Sequence, residues 1–142
     1  MKPYEILEHR ADLKIRAFGK TKEELFSNML KGMISGLRPE ILNSEAETRN
    51  IEIKSPNLET LLVDFLSEVL YLTQVNKEIY IDIKFKKLND PSTNSGQAEL
   101  KGELVSQKVK RFGKDIKAVT YHELDIHQRT DGIWEAVVLF DI

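Results

Sequence analysis

The stretch that most constrains the fold is the last quarter of the chain, from Lys117-Ala118-Val119-Thr120-Tyr121-His122 to Val137-Val138-Leu139-Phe140-Asp141-Ile142. The final residues of most domains fray unless something ties them down, yet here the sequence ends on alternating apolar residues. Read as a strand, Ile133–Ile142 puts Trp134, Ala136, Val138, Phe140 and Ile142 on one face, and Glu135, Val137, Leu139 and Asp141 on the other. The expectation is a packed chain end, with the Asp141 side chain and the Ile142 α-carboxylate held one residue apart. Carboxylates that close repel each other unless a cation or a proton lies between them. The terminus is therefore a candidate cation site; an Asp141 that faces water or pairs with a lysine is the competing reading.

At 142 residues the chain reads as one domain, residues 1–142, long enough to bury roughly two-thirds of its unfolded surface. Its 21 basic and 23 acidic side chains leave a formal charge of −2, which argues against a protein whose main task is wrapping nucleic acid. There is no cysteine. This excludes disulfides and thiolate chemistry, so metal ligands would have to be carboxylate, imidazole or backbone oxygen. Met1-Lys2-Pro3-Tyr4-Glu5 has no apolar signal core, and the apolar stretch Leu58–Leu72 is interrupted by Glu59, Asp64 and Glu68. The expectation is a soluble, cytoplasmic protein.

Leu13, Ile15 and Ala17 alternate with Lys14, Arg16 and Phe18 as in a half-buried strand, with Asp12 on the Lys14/Arg16 side. Thr21-Lys22-Glu23-Glu24 has the spacing of a capping box. Leu25, Phe26, Met29, Leu30, Met33, Ile34 and Leu37 then form one helical stripe, which Pro39 stops. At this spacing the methionines are core residues. Thr48–Lys54 alternates as a strand, and Asn57 caps a second helix whose broad apolar face includes Leu61, Leu62, Phe65, Leu66 and Val69. Ile79, Ile81, Ile83 and Phe85 form another strand. The turn-rich Asn89–Gly96 reads as a long hairpin tip, and Ala98–Leu104 as the returning strand. Val105–Asp115 reads as a basic loop bearing Lys108, Lys110, Arg111 and Lys114. Finally, Lys117–His127 pairs with Ile133–Ile142 across Arg129-Thr130-Asp131-Gly132, where Asp-Gly is a turn signal. The predicted class is α+β: a mixed or antiparallel sheet of about six or seven strands with two main helices packed on one face.

No pair among His9, His122 and His127 has the i, i+4 spacing of a zinc protease. Phe18-Gly19-Lys20-Thr21 contains Gly-Lys-Thr but lacks the upstream glycine of a phosphate loop. If the first and last strands are neighbours, Asp12, Asp141 and the Ile142 carboxylate would supply three anionic groups, a set that favours Ca²⁺ or Mg²⁺. Spacing alone does not say whether they meet. His9 could join them, or be a hydrogen-bonding surface residue.

Tyr4-Glu5-Ile6-Leu7-Glu8-His9-Arg10-Ala11-Asp12, the helix start at Thr21–Leu25, Lys117-Ala118-Val119-Thr120-Tyr121-His122 and the closing Phe140-Asp141-Ile142 resemble the archease family over essentially the whole chain. The resemblance implies a non-catalytic accessory protein of the RtcB-type RNA ligase. Such a protein promotes guanylylation of the ligase's active-site histidine and its multiple turnover in tRNA splicing and RNA repair. It further implies a divalent metal, Ca²⁺ first and Mg²⁺ or Mn²⁺ as alternatives, on Asp12, Asp141 and Ile142, with Lys117, His122 and His9 as partner-facing positions. The pattern departs where the family usually reads H-T-A-D-I-G and this chain has His9-Arg10-Ala11-Asp12-Leu13-Lys14. Arg10 brings positive charge close to Asp12.

Two other classes remain open from the residues. A metal-dependent phosphoesterase would use the same carboxylates catalytically. A tRNA-binding chaperone, or a specificity modulator of an enzyme such as a tRNA methyltransferase, would depend on the Lys108–Lys117 basic segment.

Overall fold

A computed structural model describes residues 1–8, 11–91 and 96–142. The elements follow in the order β1 (Tyr4–Glu8), β2 (Asp12–Gly19), α1 (Lys22–Gly36), β3 (Pro39–Ile41), β4 (Glu47–Ser55), α2 (Leu58–Asn76), β5 (Glu78–Asn89), β6 (Ala98–Phe112), β7 (Ala118–Val119), β8 (Asp125–Gln128) and β9 (Trp134–Asp141). Both helices begin where their caps predict. Thr21 Oγ1 accepts the Glu24 N–H at 3.1 Å, and Asn57 Oδ1 accepts the Thr60 N–H at 2.8 Å, each satisfying a donor that the first turn leaves without an intrahelical partner. Glu24 reaches back one residue further than a standard capping box, its Oε1 accepting the Lys20 N–H at 3.2 Å.

The α+β class holds, but the strands divide between two antiparallel sheets. In the first, β1, β2 and β9 lie side by side, and β7 and β8 share the far edge of β9. In the second, β6 runs through the middle with β5 on one side and β4 and β3 in succession on the other. The helices explain the division. Leu25, Phe26, Met29, Leu30 and Met33 of α1 and Leu61, Leu62, Val63, Phe65, Leu66 and Val69 of α2 are fully buried. Apolar faces that wide need cover from more than one side. Each helix accordingly contacts strands of both sheets: α1 touches β1, β2, β9 and β5, and α2 touches β4, β5, β6, β7 and β8. Gly32 of α1 lets β2 come close, since a Cβ there would stand 2.9 Å from Ile15 Cγ2.

Two sequence expectations are corrected. Residues 105–112 belong to β6 rather than to a basic loop. Their alternation is hidden because polar side chains are drawn to distant partners: buried Ser106 donates to the Glu47 carbonyl at 3.2 Å, and Lys108, itself exposed, reaches buried Glu78 at 3.2 Å. Lys117–His127 is likewise not continuous, but broken into β7 and β8. Thr120 Oγ1 donates to the Leu139 carbonyl at 3.0 Å and accepts the His122 N–H at 3.2 Å. Glu123 then adopts φ +55°, so residues 121–124 leave the ladder before β8 rejoins it. The final hairpin is as expected, with Gly132 at φ +89° and its N–H donating to the Arg129 carbonyl at 2.9 Å.

Candidate functional site: an acidic strand end

The register of the first sheet answers the question that spacing left open. β2 and β9 are antiparallel, and Asp12 is the direct cross-strand partner of Asp141. Directly opposed residues share a face, with Cβ atoms about 4.5–5.5 Å apart. The two carboxylates therefore project together from the face turned away from α1, in line with Lys14 and Arg16 on β2 and Leu139 and Val137 on β9. The inward face carries Leu13, Ile15 and Ala17 against Phe140, Val138 and Ala136, all buried.

β9 is held on both sides at this level. Asp141 faces Asp12 on one flank and Ala118 on the other, and its carbonyl accepts the Lys117 N–H at 2.7 Å. The predicted packed chain end is corrected by one residue. Phe140 is fully buried, but Ile142 lies beyond the ladder at 46 % exposure, because among the described residues the pairing of β9 stops at Asp12 and Ala118. Asp141 is anchored through its backbone, and Ile142 projects from that anchor.

The remaining candidates fall around this end. Lys117 abuts it through the backbone and lines a shallow groove of about 230 Å³ with Ser67, Leu70, Tyr71, Gln74, Ala118 and Val119. His122 sits exposed in the turn between β7 and β8. His9 and Arg10 lie outside the described residues. Among the described residues, no three His, Asp or Glu side chains converge on a point that could hold a metal. A cation site here would need the main-chain carboxylate of Ile142 beside the two aspartates. Such a donor set is all oxygen and anionic, which fits a hard divalent cation.

Three features escaped the sequence. Tyr121 donates its hydroxyl to Asp64 Oδ1 at 2.5 Å, and Ser55 donates to Oδ2 of the same carboxylate at 2.6 Å, tying the 121–124 loop to α2. The hydrogen bond to Asp64, then burial, raises the Tyr121 phenol above its ordinary 10.0. Lys14 Nζ lies 3.5 Å from Glu123 Oε2. On the second sheet, Glu78 is wholly buried yet carries Arg49 and Lys108 as cationic partners and accepts the Tyr80 hydroxyl at 2.8 Å. Only Glu78's place directly after α2 hinted at this, since a charged residue opening a strand beside Ile79 and Tyr80 needs an explanation. The basic segment is also largely engaged: Lys108 with Glu78, and Lys110 and Arg111 with Glu40 at 3.8 and 2.6 Å.

Fold and site together define a small two-sheet α+β protein in which two aspartates from sequence-distant strands meet at one strand end, with a lysine backbone locking the outer flank. The chain belongs to the archease family: the model described as Archease protein family (MTH1598/TM1083) matches residues 4–142. It is 40 % identical over 142 residues to Protein archease of Methanosarcina barkeri, covering 99 % of this chain and 97 % of that one. It is 32 % identical to Protein archease of Pyrococcus furiosus, with 100 % of both chains covered. Among solved structures it is similar to protein 1598 of Methanobacterium thermoautotrophicum, with TM-score 0.76, 29 % identity and 100 % of both chains covered. A Thermotoga maritima protein described as an archease and possible chaperone shares the fold, with TM-score 0.67 at 21 % identity over 96 % of this chain and 94 % of that one. No helix among the described residues is long and apolar enough to cross a membrane.

Proposed function

We propose that this protein is a non-catalytic activator of an RtcB-type RNA ligase, acting through the acidic strand end formed by Asp12, Asp141 and the Ile142 carboxylate. The observation that carries the reading is the cross-strand pairing of Asp12 with Asp141, in two of the four stretches through which the sequence resembles archeases. Like charges directly opposed on a sheet destabilise it, and a divalent cation bound between them would relieve that repulsion. When bound, that cation supplies the positive charge that lets the carboxylates sit together and a Lewis-acidic centre for a partner's oxygen ligands. The chain's own residues fix the geometry: β2 and β7 clamp β9 at Asp141, so the carboxylates are presented from a rigid element.

The competing RNA-modification reading needs a free basic surface. Lys108, Lys110 and Arg111 are instead paired with Glu78 and Glu40, which favours the ligase reading. The decisive experiment measures guanylylation of limiting RtcB-type ligase with GTP and Mn²⁺. The protein should stimulate the reaction, while Asp141→Ala, or one residue appended after Ile142, should abolish stimulation and leave cooperative melting intact. Full stimulation by both variants would refute the role of the acidic end. No stimulation of a ligase that another archease does activate would refute the function.

A further inference from the structure

We infer that Glu123 is a positioning residue that withholds Lys14 from the acidic strand end and thereby sets the cation affinity of that end; the inference rests on the cation site proposed above. Lys14 stands two residues from Asp12 on the same face of β2, opposite Leu139, so that Asp141 is its diagonal neighbour across the β2–β9 ladder. Diagonal positions are about 7–8 Å apart, within reach of a lysine stem. An ammonium that turned this way would occupy the same anionic oxygens as a divalent cation and compete with it directly.

The structure sends Lys14 elsewhere. Its Nζ lies 3.5 Å from Glu123 Oε2, and its side chain keeps only 24 % of its exposure. Leu139, its cross-strand partner, is buried although it lies on the face away from α1, as a lysine stem lying over it would produce. Glu123 reaches this face only because residues 121–124 leave the ladder, and its φ of +55° is a conformation that non-glycine residues hold where their surroundings enforce it. Part of that enforcement is the Tyr121–Asp64–Ser55 chain of hydrogen bonds to α2. The next cation along the same face, Arg16, is similarly placed 3.6 Å from Glu5. Both cations on this face of β2 thus have carboxylate partners that are not the strand-end aspartates.

The test is calorimetric titration of the full-length protein with calcium chloride at low ionic strength, supported by the calcium-dependent shift in melting temperature. Wild type, Glu123→Gln, Lys14→Met and the double variant are compared. Freeing Lys14 should weaken calcium binding about three- to tenfold in Glu123→Gln, the scale for one unit charge at this range in partly screened surroundings. In the Lys14→Met background, Glu123→Gln should change affinity less than about twofold, because the competitor is gone. Equal calcium-free melting temperatures for wild type and Glu123→Gln would show that the fold is intact. Unchanged affinity in Glu123→Gln would overturn the inference. So would an equal loss in both backgrounds, which would mean that Glu123 acts through its own charge. Failure of the wild type itself to bind calcium would refute the cation site, and the inference with it.

Discussion

Replacing Arg49 by methionine should destabilise the protein more than replacing Glu78 by glutamine, although both changes remove the same ion pair. Glu78 has no solvent exposure, whereas Arg49 and Lys108 keep 36 % and 45 % of theirs. Without Glu78's charge, the two half-exposed cations can turn into water, and the loss falls at the low end for hydrogen bonds to a charged group, about 1.5 kcal/mol. Without Arg49, the carboxylate stays buried with Lys108 and the Tyr80 hydroxyl alone. Breaking a buried pair in this direction costs about 3–5 kcal/mol, and the surviving partners place the expected value near 3. The acid limb gives a second readout. Burial pushes the Glu78 carboxyl up, but hydrogen bonds from Arg49, Tyr80 and Lys108 together outweigh it and leave the group below its ordinary 4.5. A carboxyl lowered in the folded state binds fewer protons there than when unfolded. Its stabilisation is therefore complete above the unfolded value and is lost as pH falls through the folded one. Arg49→Met removes a lowering contact and narrows the gap between the folded and unfolded values, so the variant's deficit should be greatest at neutral pH and shrink as the pH falls, with a shallower acid limb than wild type. Urea unfolding followed by Trp134 fluorescence, at neutral pH and in steps down to pH 3, measures both effects. A loss below about 1 kcal/mol for Arg49→Met, or a larger loss for Glu78→Gln, would refute the account of a stranded carboxylate.

Two further outcomes follow from local geometry. Asp64→Asn should bring the ultraviolet titration midpoint of Tyr121 back toward 10.0, since the bond to Asp64 is the first cause of its rise. The stabilisation tied to that bond is complete below the unfolded tyrosine value and fades as pH rises through the folded one; a midpoint unmoved in the variant would show that the bond is not formed in solution. Gly102→Ala should cost about 1–3 kcal/mol in chemical denaturation, because its Cβ would stand 2.7 Å from the Lys84 carbonyl, a backbone atom that cannot rotate away; a neutral effect would show that β5 and β6 are less tightly paired there.

Local features were legible because local rules decide them. Thr21 and Asn57 announce their helices by side chains that fit the first turn, and Asp131-Gly132 announces its hairpin by a backbone angle few residues accept. The extension of β6 was not legible, because Ser106 and Lys108 break the polarity pattern for the sake of partners at Glu47 and Glu78, far away in sequence. The division into two sheets was hidden for a related reason: periodicity shows that α1 and α2 have wide apolar faces, but not which strands cover them. At the acidic end, chemistry named Asp12 and Asp141 as candidates, and only strand adjacency could bring them together. Glu123 gave no signal, since a glutamate after Tyr-His in an apparent strand looks solvated until the chain is seen to leave the ladder there.

The pairing of β2 with β9 also has a temporal meaning. Contacts between segments this far apart in sequence form late and slowly, because a long loop must close first. On a ribosome, β2 emerges early and cannot form its Asp12–Asp141 pair until β9 has emerged. A nascent or C-terminally clipped chain can assemble β4, α2, β5 and β6 into a plausible sheet and still have no acidic end. Competence to engage a partner through that end thus reports that β2 and β9, two segments far apart in the chain, have found each other.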